Sequence, residues 1–167
     1  ATDRAITAAS SHRLQIIGIA GYSPTWARRS DCPAGELHCF PENPADYGRF
    51  LGAAAARYGS RGADSRLRGT IEVWSLWNEP NHRPYSMPKP DPDKYAAMVK
   101  SAYAAIKAVD PEAIVLTGGT APAPDAPDGS DYEQATWLRM LYDRGAGGSF
   151  DGVANHPYAY PFSPLTD

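Results

Sequence analysis

The sequence predicts an α/β protein built on a parallel sheet. Short, nearly continuous apolar runs alternate with amphipathic helical stretches, in the order α-β-α-β-α-β-α-β. Such runs suit strands buried on both faces of a parallel sheet, and the alternation suits right-handed βαβ units. The 16 prolines and 15 glycines gather between the periodic segments, as long functional loops on a regular scaffold require.

The stretch Ala1-Thr2-Asp3-Arg4-Ala5-Ile6 reads as the middle of a helix, with no signal-peptide architecture and no look of a natural beginning. Leu14 to Ile19 is the first strand. A second helix opens at Asn43-Pro44, with Asn43 as N-cap and Pro44 at the first helical position. Tyr47, Phe50, Leu51, Ala54 and Tyr58 then give one apolar stripe. Ile71 to Trp77 is the second strand. Asp91-Pro92 repeats the cap-plus-proline start, and Tyr95, Met98, Val99, Ala102, Ile106 and Val109 keep helical spacing until Pro111. Ala113 to Leu116 is the third strand, running into Thr117-Gly118-Gly119. A helix with Trp137, Leu138, Leu141 and Tyr142 ends at Gly145, and Phe150 to Tyr158 reads as a fourth strand and its exit. The aromatic and methionine stripes are core, not a ligand box.

The chain has 167 residues, 43% hydrophobic and 21% charged, the composition of a soluble globular protein. Net charge is -3 with no basic patch, which argues against a nucleic-acid partner. No apolar run approaches the roughly 20 residues that span a bilayer. No phosphate loop, nucleotide fingerprint or serine elbow is visible, so neither a cofactor nor a catalytic metal is expected. Four strands do not close a (β/α)8 barrel, which typically takes about 250 residues. The expectation is one partial (β/α) barrel catalytic domain over residues 1–167, with a smaller open α/β domain as the rival.

Cys32 and Cys39 share one loop. A local disulfide, implying an oxidising, extracellular setting, is the first reading. A metal site of Cys32, His38, Cys39 and Asp31, or two reduced thiols, are the alternatives.

Parallel strands put their C-terminal ends at one edge, where barrel chemistry is found. Tyr22-Ser23-Pro24-Thr25-Trp26, Trp77-Asn78-Glu79-Pro80-Asn81-His82, Thr117-Gly118-Gly119-Thr120 and Asn155-His156-Pro157-Tyr158 are the four exits. Pro80 stops the ladder and leaves a carboxamide and a carboxylate side by side. Asparagine can orient a hydroxyl; glutamate can deliver or remove a proton. Aromatic faces beside hydrogen-bonding groups suit sugars.

Trp77-Asn78-Glu79-Pro80-Asn81 resembles the fourth-strand motif of the clan A retaining glycoside hydrolases, which are TIM (β/α)8 barrels. Tyr22-Ser23-Pro24-Thr25-Trp26 resembles the end of that clan's third strand, and His156-Pro157-Tyr158 the His-x-Tyr that ends its sixth. The match covers about strands 3 to 6, and within the clan it resembles family 39 or cellulase-like family 5. The resemblance implies a secreted O-glycosyl hydrolase acting on a poly- or oligosaccharide. It implies that Glu79 is the general acid/base, that Asn78 binds the sugar 2-hydroxyl, that Tyr158 holds the nucleophilic carboxylate and that His156 lines the sugar subsite. Trp26 and Tyr22 would wall the cleft. His82 lies where loops touch substrate, though a lone loop histidine is often only solvated.

A retaining mechanism needs a second carboxylate about 5–5.5 Å from the first. In the clan this nucleophile ends the seventh strand, which is absent here. Glu72 lies within the second strand, Asp151 opens the fourth at its wrong end, and Asp167 ends the sequence. The segment is therefore expected to be incomplete as an enzyme by itself. A non-catalytic carbohydrate-binding relative is the second reading, and an accidental motif in an unrelated α/β domain the third.

Overall fold

The structure, a computed structural model, describes residues 2–158. The elements alternate as expected: α1 (Thr2–Ser11), β1 (Ile16–Ala20), α2 (Pro44–Tyr58), β2 (Ile71–Asn78), α3 (Pro92–Val109), β3 (Ile114–Gly119) and α4 (Gln134–Asp143), with single 3-10 turns at Thr25–Ala27 and Arg83–Tyr85. The three strands form one sheet in the order β1-β2-β3, with both pairings parallel.

The helix starts follow from their caps. Asn43 Oδ1 accepts from the Ala45 N–H at 3.0 Å, and Asp91 Oδ1 from the Lys94 N–H at 2.9 Å, each ahead of a proline whose missing donor costs nothing there. Glu133 caps α4, its carboxylate accepting from Ala135 and Thr136 N–H groups at 2.8 and 3.1 Å. α2 and α3 pack most closely where Gly48 meets Ser101. A Cβ on Gly48 would stand 2.8 Å from the Ser101 carbonyl oxygen, so only glycine permits this approach.

Strand register sorts the sheet into two faces. Gly18, Trp74 and Val115 form one row, and Ala20, Leu76 and Thr117 another, both turned toward the helices. Tyr95, Met98, Val99, Ala102 and Ile106 of α3 are all fully buried beneath them. The opposite rows, Ile17–Val73–Ile114 and Ile19–Ser75–Leu116, have no helix over them among the described residues. Ile17, Ile19 and Ile114 are 57%, 59% and 48% exposed. The expectation that the first strand is buried on both faces is thus corrected: the helical layer covers one face only.

Two further expectations change. Phe150 to Tyr158 is not a regular strand. It touches β3 through isolated parallel bridges, Leu116 to Gly152 and Thr120 to Asn155. Asp151 and His156 N–H groups reach the Val115 and Thr120 carbonyls at 2.7 and 3.1 Å. Thr117 Oγ1 takes the Ala154 N–H at 3.1 Å, which replaces a ladder bond with a side-chain bond. Phe50, placed in the apolar stripe of α2, is instead 63% exposed, because its turn of the helix faces a surface cavity rather than α3.

Tyr95 braces the strand ends. Its hydroxyl donates to the Leu76 carbonyl at 2.7 Å and accepts from the Gly118 N–H at 2.8 Å. Burial pushes this phenol well above its ordinary range, so it remains a donor at any working pH.

Cys32 and Cys39 are bonded to one another. The metal-site alternative falls with that bond: His38 turns to Glu36, and Asp31 pairs with Arg29. No described helix is long and apolar enough to cross a membrane. Closing so short a loop is worth about 2–3 kcal/mol through the unfolded chain. Replacing both cysteines by serine is therefore expected to lower Tm by about 5–10 °C. Thermal unfolding with and without reductant measures this, and an unchanged Tm would remove the disulfide from the stability account.

Candidate active site

The site is built where β2 unwinds. Trp77 and Glu79 both have left-handed backbone, with φ of 78° and 47°, on either side of Asn78. Non-glycine residues hold such angles at a cost of about 1–2 kcal/mol each, so the surrounding contacts must over-determine them. Four contacts do so. The Glu79 N–H donates to the Gly119 carbonyl at 2.9 Å, and the His82 N–H returns to the Glu79 carbonyl at 3.0 Å. Ser86 Oγ donates to the Pro80 carbonyl at 3.0 Å. Trp77 Nε1 donates to the Tyr85 carbonyl at 2.7 Å.

Asn81, named in the sequence only as the end of the motif, is the staple of this loop. It is wholly buried. Its Nδ2 donates to the carbonyls of Ala121 and Tyr132, both at 2.8 Å, and its Oδ1 accepts from the Ala121 N–H at 2.8 Å. The loop after β2 is thereby tied to the loop after β3.

Glu79 is 6% exposed, and its Oε1 lies 2.8 Å from Nδ1 of His156. Residues 77 apart in sequence meet because their segments flank β3. A carboxylate accepts from Nδ1–H, and a carboxyl O–H donates to a bare Nδ1, so the contact suits Glu79 in either protonation state. Gly119 makes room for it: a Cβ there would stand 2.3 Å from His156 Nε2. Gly119→Ala is therefore expected to displace His156 and open its 2.8 Å contact with Glu79 while leaving the fold intact. The His156 ring resonances by NMR, beside circular dichroism, measure this, and unmoved resonances would mean that Gly119 does not set the position of His156.

Asn78 ends β2 opposite Gly119. Beside it stands Tyr22, whose ring meets Trp77 edge-on at 5.3 Å and His38 at 4.2 Å. Burial pushes the Tyr22 phenol up, a hydrogen bond with Asn78 opposes this, and the charges of Tyr85 and Glu79 add to the rise. Tyr22, Asn78 and Glu79 therefore share one neighbourhood. Tyr158 lies next to His156, ring centroids 5.8 Å apart, and is 65% exposed.

Trp26 is placed differently. It is 77% exposed and, with Tyr22, Tyr47, Phe50 and Trp77, lines a cavity of about 180 Å³ to which Glu79 does not contribute. His82 is not merely solvated: its Nδ1 is bonded to Asp131 Oδ1, which also accepts from the Arg83 N–H at 3.2 Å.

Sequence reading missed Asn81, Asp131, Tyr85 and the pair Glu36–His38. His38 Nδ1 lies 2.5 Å from Glu36 Oε1. The Glu36 carboxyl is held below its usual range, first by the backbone N–H of His38 and then by its ring and the Leu37 N–H. The cysteine spacing that turns this loop back toward β2 was the available signal.

Glu72 and Asp151 lie at the other end of the strands. Asp151 is engaged there by Lys107 Nζ at 2.9 Å and the Val115 N–H at 2.8 Å. Asp167 lies outside the described residues.

No protein-family model matches the chain, and no curated protein matches it in sequence. Solved structures match it in fold. A family 39 glycoside hydrolase from the gut symbiont Bacteroides cellulosilyticus WH2 is 24% identical with a TM-score of 0.64, over 96% of this chain and 29% of that one. A monomeric β-xylosidase from Caulobacter crescentus CB15 is 22% identical with a TM-score of 0.66, over 94% and 30%. A glucosidase from Croceicoccus marinus is 18% identical with a TM-score of 0.65, over 93% and 29%. The chain thus spans about 30% of the length of these structures. The resemblance read in the strand-end motifs is met in three dimensions: this chain has the fold of a segment of these glycoside hydrolases, one of family 39 among them.

Proposed function

We propose that this chain is the central portion of a secreted retaining glycosidase of family 39. In this reading β1, β2 and β3 are the third, fourth and fifth strands of a (β/α)8 barrel, and residues 151–156 run along the sixth. The uncovered sheet face, with its rows of isoleucine, is then the barrel interior. Family 39 is preferred to family 5 because a structure of that family overlays 96% of the chain. The disulfide and the carbohydrate-processing neighbours support a location outside the cell.

The observation that carries the reading is the contact of Glu79 with His156, beside Asn78, at the C-terminal edge of parallel strands. Glu79 donates its proton to the glycosidic oxygen as the bond from the anomeric carbon to that oxygen breaks. A glutamate carried outside this chain attacks the anomeric carbon and forms a glycosyl ester. Water then attacks the same carbon, its proton passing to Glu79, and the ester carboxylate leaves. Asn78 holds the 2-hydroxyl, a bond that tightens as positive charge grows on the ring. Tyr158 steadies the nucleophile and His156 lines the subsite of the bound sugar.

The test follows the stereochemistry of the complete enzyme on aryl glucosides and xylosides by proton NMR. First-formed product with the anomeric configuration of the substrate is expected. Inverted product would overturn the mechanism, and binding without hydrolysis would favour the non-catalytic relative.

A further inference from the structure

The rings near Glu79 form an ordered row. Tyr22 meets His38 edge-on with centroids 4.2 Å apart, His38 meets Tyr85 at 5.6 Å, and Tyr85 meets His82 at 6.2 Å. Two imidazoles alternate with two phenols. Each imidazole is held at Nδ1 by its own carboxylate, His38 by Glu36 and His82 by Asp131. All of the row is reachable from solvent: Tyr22 is 37% exposed, and the His38 and His82 side chains keep 30% and 32%.

The row is rigidly seated. The disulfide closes the loop that bears His38, and the His38 carbonyl accepts from the Met87 N–H at 3.0 Å. Trp77 holds the Tyr85 carbonyl from below. Both ends of the row are tied to the Glu79 region, Tyr22 through Asn78 and Trp77, and His82 through its N–H on the Glu79 carbonyl. The sheet order sets its side: Tyr22 leaves β1, on one flank of β2, while His156 lies beyond β3 on the other.

We propose that Tyr22, His38, Tyr85 and His82 form the subsite for the sugar on the leaving-group side of the scissile bond. The inference rests on the glycosidase reading, in which His156 marks the side of the cleaved sugar and Glu79 stands between it and the leaving group. A sugar ring offers an apolar C–H face and a rim of hydroxyls. The phenol faces take the first. The imidazole Nε2 atoms take the second, because the carboxylate on each Nδ1 fixes the tautomer and leaves Nε2 as a directed acceptor for a hydroxyl. An acceptor Nε2 backed by the Glu36 or Asp131 carboxylate suits a neutral hydroxylated sugar rather than a uronate, whose own carboxylate those groups would repel. His38 and His82 are thus specificity-determining residues, and Glu36 and Asp131 position them.

The test compares leaving groups in the complete enzyme. Cellobiose and xylobiose fill this subsite; β-glucosyl and β-xylosyl fluoride leave it empty. In His38→Ala and His82→Ala the ratio of kcat/KM for disaccharide over fluoride is expected to fall about tenfold, the loss of roughly one good hydrogen bond, with KM for disaccharide rising. Equal losses on both substrates, or no loss on either, would overturn the assignment. Should an alanine variant not fold, Glu36→Met and Asp131→Leu decide, since they keep bulk and remove the acceptor at each Nδ1; the same shift in ratio is expected, and its absence counts against the row. Hydrolysis of neither substrate by the wild-type protein would instead defeat the glycosidase reading. Hydrolysis of both with an unmoved ratio defeats the row alone.

Discussion

Glu79→Gln is expected to lower hydrolysis of disaccharides by the complete enzyme about 10³-fold or more, within the range of a lost general acid. Activated aryl glycosides, whose leaving group needs no proton, should lose far less in the first step. Their second step still lacks a base, so a glycosyl-enzyme ester should accumulate and be visible by mass spectrometry. Added azide, which attacks without giving up a proton, should restore turnover and yield a glycosyl azide. Glutamine matches the shape of glutamate and can still meet His156, so the fold should persist. Equal losses on good and poor leaving groups would remove Glu79 from the proton-transfer role, and full activity would remove it from the mechanism altogether.

Asn81→Leu is expected to be the most destabilising single change in the loop after β2. The side chain is fully buried, and its removal takes from the Ala121 N–H and the Tyr132 carbonyl the partner each has in Asn81, while the Ala121 carbonyl keeps the Ala123 N–H at 2.9 Å. An orphaned buried polar group costs about 1–3 kcal/mol, and two that share one site are not additive, so a loss of about 2–4 kcal/mol is expected. Urea unfolding of the complete protein measures it. Activity should fall as well, because the left-handed backbone of Glu79 is held in part through this staple. A loss below about 1 kcal/mol would show that the loop is tied down elsewhere.

Much of the architecture could be read from local pattern. The proline-preceded caps of α2 and α3, the buried stripe of α3 and the apolar runs of β2 and β3 all lie where spacing puts them. These signals are local, set by period and by cap chemistry, so one chain position suffices to read them. Phe50 shows the limit. Its spacing matches that of Leu51 and Ala54, yet periodicity cannot tell the face against α3 from the flank that borders a surface cavity. The segment from Phe150 to Tyr158 shows another. Its composition is that of a strand, but Thr117 Oγ1 and two isolated bridges hold it where a ladder was expected.

The candidate site divides in the same way. Glu79 and Asn78 are legible in five consecutive residues because a strand, a proline and two polar side chains occur together, and the strand end follows from the chain itself. That Glu79 meets His156, that Gly119 must lack a side chain for this to happen, and that Asn81 supports the loop instead of facing a ligand all depend on which segments flank β3. From the sequence, His38 reads only as a ligand of the rival metal site and His82 only as a lone histidine in a loop near substrate. They become a clamped pair within a row of rings only when the disulfide and the Trp77–Tyr85 bond fold two distant loops over the same strand end. Residue type and period set the elements and the chemistry available to them. Partners remote in sequence set the use of that chemistry, because a hydrogen bond or ring contact depends on ångström-scale distances that spacing along the chain does not encode.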